Sequence, residues 1–274
     1  MPRDLSEVLH YFLPEIDRAG GDASERRETP SPSTRPAARN STDGRPKVSV
    51  LSIPCGDRDV VRAALAWSLT VETARLGVRA IMLTPESDQG SALWPVAGHG
   101  PFGSELIRSP AENLETLDHV SSRLAAENPT RDDRPAIIFV RIPPSWLERA
   151  STAPTRSEWL LLLHAAHAIG VGPVLGGPAR ILASQPRAAL NLIVYGAATL
   201  AEAKKSQEAF TARSEGTLGR APRTCGLLVE DLHLYRAIAA QRAVGLAYPR
   251  APLTRALQQV ARNLVDEVDA RPNT

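Results

Sequence analysis

"KVSVLSIPCGDRDVVRAALAWSLTVETARLGVRAIMLT", residues 47–84, carries three structural signals in succession. Lys47–Ile53 is a short apolar run with strand character, and Val78–Leu83 is a second. Between them the pattern predicts a helix over about 57–76. The loop joining the first strand to this helix is where backbone amides at a helix N-terminus would meet an anion. It holds one glycine, Gly56, two aspartates, Asp57 and Asp59, and no lysine.

The alternation continues outward from this unit. Ala136–Arg141, Leu190–Tyr195 and Thr224–Val229 read as further strands, with helices at about 111–127, 199–213, 231–241 and 252–268. The fold class this predicts is α/β, a mostly parallel sheet with helices on both faces. The run "SEWLLLLHAAHAIG" (157–170) fits a buried strand or a buried helix equally well by periodicity. "PVAGHGPFGSE" (95–105) reads as a Gly-rich connecting loop, and no internal repeat is evident.

The length, 274 residues, suffices for one large α/β domain or two small ones. A formal charge of +2 is close to balanced and implies no broad basic face for nucleic acid. Only Lys47, Lys204 and Lys205 are lysines, and this dominance of arginine carries no functional weight by itself. Cys55 and Cys225 match no metal or redox spacing, so a reducing compartment is expected. No apolar run has membrane-spanning length and the N-terminus lacks signal-peptide order, so the expected location is cytoplasmic.

The N-terminal segment is of a different kind. Leu5, Val8, Leu9, Phe12 and Leu13 form one apolar helical stripe, with Asp4 as N-cap, Glu7 three residues on, and Pro14 at the far end. Residues 19–46 contain no large apolar residue and should form a disordered linker spanning roughly 30 Å. The division expected is therefore a recognition helix at 1–18, a linker at 19–46 and an α/β domain at 47–274. So short a helix is marginal alone and needs a groove, on a protein partner or on its own domain.

Residues Cys55–Arg79 resemble the opening of MinD/ParA-type P-loop ATPases, whose motif reads roughly S-G-K-G-G-V-G-K-T-T before a helix ending L-G-K-R. Anchored on "RLGVR" (75–79), Gly56 and Val60 match the family's glycine and valine. Asp57 replaces the family's dimer-crossing lysine, while Arg58, Asp59 and Val61 stand at glycine positions. Arg62 takes the place of the phosphate lysine and Ala63 that of the magnesium threonine. The resemblance also puts Thr84 at an acidic position after the second strand, with Glu86 nearby, and Arg141 in "VRIPPS" at the Walker-type aspartate. Side chains at glycine positions block the anion-binding curl, and two carboxylates repel a triphosphate. Neither Ala63 nor the planar fork of Arg62 replaces what stood there.

The same resemblance assigns "WLLLLH" to a strand. At the C-terminus, "GLLVEDLHLYRAIAAQRAVGLAYPRAPLTRALQQVARNL" is similar to the end of FlhG-like members. Gly226, Asp231, Arg236, Gln241, Arg242, Tyr248, Pro249 and Arg255 all fall in register with it. Tyr195 and Gly196 stand where the family has Asn-Arg near the base. The expectation is thus a pseudo-ATPase with no cofactor, catalytic residue or metal. It would act as a regulatory or scaffolding subunit in a bacterial positioning machine and recruit a protein partner, such as a related ATPase or GTPase, through the N-terminal stripe. It would be a monomer or hetero-oligomer, drawn to a pole or a membrane-associated machine. The alternatives are a divergent ATPase, using ATP and Mg completed by a partner, or a peripheral membrane-targeting module.

Other constellations weigh less. His164 and His167 have metal-compatible spacing without nearby acidic or cysteine ligands, and Cys55 with His99 lacks anything that fixes their proximity. The last helix carries Leu253, Leu257, Val260, Leu264, Val265 and Val268 on one stripe. Its acidic end, Asp266, Glu267 and Asp269, favours packing on the sheet over anionic lipid.

Overall fold

The computed structural model describes residues 48–54, 60–86, 98–109, 119, 136–143, 159–168 and 172–270. The expectations for residues 1–46, including Leu5, Val8, Leu9, Phe12 and Leu13, lie outside these, as do Gly56, Asp57, Arg58 and Asp59. The helix expected at 111–127 also lies outside, apart from His119.

In chain order the elements are β1 (Val48–Pro54), α1 (Val60–Arg75), β2 (Arg79–Pro85), β3 (Gly98–His99), a 3-10 turn (Pro101–Gly103), β4 (Glu105–Ser109), β5 (Ala136–Ile142) and β6 (Trp159–Ala165). There follow α2 (Gly172–Ser184), β7 (Ala189–Ala197), α3 (Leu200–Leu218), β8 (Arg223–Val229), α4 (Leu232–Ala239), α5 (Val244–Ala247) and α6 (Pro252–Ala270). The strands form one eight-stranded sheet in the order β3-β4-β2-β5-β1-β6-β7-β8. All neighbours are parallel except β3 and β4. The α/β class read from the alternation of elements is the fold observed.

Every residue of β5 and β6 is buried, as helices on both faces of a parallel sheet require. "WLLLLHA" is therefore a strand, and its four leucines alternate between two cores. Leu161 and Leu163 join the face covered by α1 and α4–α6, with Trp67, Leu257, Val260 and Leu264. Leu160 and Leu162 join the opposite face, with Leu175 and Ile181 of α2 and Phe210 of α3.

Two elements differ from the sequence reading. The Gly-rich stretch 95–105 is not plain loop: β3, the 3-10 turn and the start of β4 lie in it. Gly98, Gly100, Pro101 and Gly103 mask so short a hairpin from any periodicity argument. Helix α2 reads "GPVLGGPARILAS", with Pro178 inside it, which propensity disfavours. Burial of Leu175, Ile181 and Leu182 overrides that cost.

The C-terminal segment docks through specific contacts. Asp231 caps α4 by accepting from the His233 amide at 2.9 Å and reaches α6 by accepting from the Leu253 amide at 3.2 Å. Burial alone would raise its pKa, but these amides and the His233 side chain hold it below the ordinary value. The stripe of α6 is buried, including Leu253, Leu257, Val260, Leu264 and Val268. Gly226 lets it approach β8 closely, since a Cβ there would meet Val260 Cγ2 at 2.7 Å.

On α1, the Ser68 hydroxyl accepts from the Val244 amide at 3.2 Å. Glu72 is 1% exposed, and its Oε2 lies 3.3 Å from Arg75 Nε. Burial raises the Glu72 pKa, opposed by Arg75 and a hydrogen bond to Gln258. Arg75 also donates to the Gly245 carbonyl at 3.3 Å and stacks on Phe102 at 4.7 Å. A Cβ on Gly245 would overlap the Glu72 carboxylate. Gly245→Ala should therefore cost about 1–3 kcal/mol and lower the melting temperature by roughly 3–10 °C. Adding Glu72→Ala to that chain should recover part of the loss, as read by thermal unfolding.

Candidate functional site

In a parallel sheet, ligands bind beyond the carboxyl ends of the strands, where neighbouring connections leave in opposite directions. Here β1 and β6 are neighbours. The chain leaves β1 through α1 toward β2 on one side and leaves β6 through α2 toward β7 on the other. The crevice between β1 and β6 is therefore the candidate site. The first turn of α1 forms one wall, and the ends of β6 and β7 form the other.

Of the residues singled out from sequence, Arg62 and Ala63 occupy that first turn. Ala63 is fully buried and has no hydroxyl to offer a cation. Arg141 lies on β5 in register with Ile53 of β1, and its whole side chain is buried. Thr84, at the end of β2, is also fully buried, and β5 separates its strand from β1. Glu86 is exposed, its amide bonded to the Ser109 carbonyl at 2.9 Å.

Arg62 and Tyr195 meet across the crevice. The guanidinium Nε of Arg62 donates to the Tyr195 hydroxyl at 3.2 Å, linking residues 133 positions apart. Tyr195 is 8% exposed, and its backbone carbonyl accepts from the Ala166 amide at 2.8 Å, beyond the end of β6. Sequence reading marked Tyr195 only as a departure from the family's asparagine. No local signal could have paired it with Arg62.

Of the two histidines of "HAAH", His164 lies on β6 and His167 just beyond its end. His167 packs beside Gly196. His164 is 3% exposed and stacks on Phe210 with ring centroids 4.8 Å apart. Burial, with the positive charge of Arg62 and then His167, pushes its pKa down to about 4, so the ring is neutral at physiological pH. Among the described residues, no group of three His, Cys, Asp or Glu side chains is placed to hold a metal ion. Nor is any helix among them long and apolar enough to cross a membrane. His99 sits exposed on the edge strand β3. Cys225, on β8, is buried and bonded to Asn191 Oδ1 at 3.3 Å, with its thiol pKa raised by burial to about 11.

No protein-family model and no curated protein matches the chain. Solved structures match it in fold. The MinD protein complexed with Mg-ADP from Pyrococcus horikoshii OT3 is 10% identical with a TM-score of 0.57, over 82% of this chain and 98% of that one. The MinD cell division protein of Aquifex aeolicus is 13% identical with a TM-score of 0.54, over 82% and 99%. A ParA family ATPase from Chlorobium tepidum TLS is 11% identical with a TM-score of 0.53, over 81% and 100%. The chain has the fold shared by these MinD and ParA family structures.

His164 gives the site a pH signature. Its unfolded value near 6.5 exceeds the folded value of about 4, so protons bind the unfolded chain preferentially. The resulting stability is fully present above pH 6.5 and is lost as the pH falls toward 4, amounting to roughly 3 kcal/mol. His164→Leu should flatten that part of the denaturant-midpoint profile between pH 7 and 4.

Proposed function

We propose that this chain is a MinD/ParA-fold protein of the FlhG-like branch whose nucleotide site no longer performs ATP chemistry. It acts as a regulatory or scaffolding subunit in the spatial organisation of a bacterial machine, such as a flagellum, pilus, secretion or polar-positioning apparatus. The observation that carries the reading is the position of Arg62. At the place of the phosphate lysine, its side chain is turned toward Tyr195 on β7.

The surrounding donor set supports the same reading. Holding Mg-ATP in the P-loop manner asks for a hydroxyl where Ala63 is buried and a carboxylate where the guanidinium of Arg141 is buried. A buried cation at the aspartate position repels magnesium instead of holding its water shell. The side chains present do not fit the group, and no catalytic step is assigned to them. The FlhG-like assignment rests on the C-terminal segment, where Asp231, Gly226 and Tyr248 make the contacts that seat α4 and α6. The choice of machine rests on the fold alone.

Function in this reading lies in surfaces. The partner is a protein, engaged by Leu5, Val8, Leu9, Phe12 and Leu13, whose spacing gives a single apolar stripe. The competing reading, a divergent ATPase completed by a partner, draws on the positive charge that Arg62 retains.

Phosphate release by the purified chain with Mg-ATP, alone and with the captured partner, should stay at the no-protein background. Turnover above background that disappears in Arg62→Ala would favour the divergent ATPase. Deleting residues 1–18 should abolish partner capture and leave the melting temperature nearly unchanged. A drop of many degrees would make that segment part of the core instead.

A further inference from the structure

The sheet is unevenly sewn. β1 pairs with β5 over seven residues, from Val48↔Ala136 to Pro54↔Ile142, and β6 pairs with β7 over seven, from Trp159↔Ala189 to Ala165↔Tyr195. Between β1 and β6 the pairs among the described residues are Leu51↔Trp159 and Ser52↔Leu160, with Ile53 and Pro54 of β1 paired to β5 but not to β6. The half of the sheet containing β2, β5 and β1 meets the half containing β6, β7 and β8 along this seam. Toward the carboxyl ends the ladder stops, and this is the switch-point crevice. A ligand seated there would contact both walls, and its binding free energy would favour the state in which they are held together.

A side-chain hydrogen bond from the first turn of α1 to β7, Arg62 Nε to the Tyr195 hydroxyl, crosses that opening. β7 lies two strands from β1, about 10 Å at ordinary strand spacing, so neither side chain spans the gap alone. Arg62 supplies a long arm from one wall, and Tyr195 supplies a rigid ring from the other. The root of Tyr195 is fixed by the bond from the Ala166 amide to its carbonyl and by burial to 8% exposure.

We infer that Arg62 and Tyr195 form a strap across the β1/β6 crevice that helps hold the two halves of the sheet together. The inference deepens the pseudo-ATPase reading, and rests on it in treating the crevice as a place that ligand no longer bridges. The consequence is regulatory. A fold whose halves are joined through a ligand changes shape as the ligand comes and goes, whereas a strapped one presents the same surfaces throughout.

Hydrogen–deuterium exchange on the full ligand-free chain tests it, using Tyr195→Phe, which removes one oxygen, with Arg62→Met and the double variant. Each single substitution should speed exchange about fivefold in α1 residues 63–67 and in residues 196–199. That is the factor one part-buried hydrogen bond is worth. The double variant should be no faster than the faster single, because both remove the same bond. Exchange in β2 and in α3 residues 210–218 should not change. The strap is overturned if Tyr195→Phe leaves α1 unaffected, or if the two substitutions add. ATP turnover by the wild type would sink the preceding reading without touching this result, since exchange is measured with no nucleotide present.

Discussion

The pairing of β1 with β5 on one side and β6 on the other is the constraint from which the site follows. A strand flanked by parallel neighbours must send its chain out at its carboxyl end, and the helix that follows starts over that end. β1's connection leaves to one side and β6's to the other, which opens a crevice at their carboxyl ends. Among the described residues, side chains reach toward it from both walls. In this protein those are the arm of Arg62, the ring of Tyr195 and, one strand over, the buried guanidinium of Arg141.

The C-terminal half depends on a second set of contacts that also converge on α1. Ser68 receives the Val244 amide, Glu72 lies against Gly245, and Arg75 reaches the Gly245 carbonyl and the Phe102 ring. One helix thus carries the wall of the crevice at its N-terminus and the seat of α5 and the 3-10 turn at its C-terminus. Its 16 residues include twelve buried ones, Ala63–Ala74, which explains why it is apolar nearly all round and not amphipathic.

Much of this architecture was legible in the sequence. β1, β2, β5, β7 and β8 stand out as β-branched or leucine-rich runs of strand length, and α3, α4 and α6 as periodic segments, whereas the caps Thr199 and Asp231 were found only in the structure. The identity of β6 was not legible from its own residues, because four leucines in a row have no period. It came from resemblance and was confirmed by its burial on both faces. β4 and α2 escaped because their neighbours are Gly and Pro, and only tertiary burial holds them in place. At the candidate site, Arg62, Ala63, Thr84 and Arg141 could be singled out from sequence, but the bond Arg62 makes could not. Its partner is 133 residues away, and a pairing of that span leaves no trace in local pattern.

The central claim is that side chains of this protein, and no nucleotide, bridge the crevice. Calorimetric titration of Mg-ATP into the full chain tests it most directly. The account predicts heats of dilution only, with no saturable binding up to millimolar nucleotide. A saturating one-to-one isotherm that is lost in Arg62→Ala would contradict it.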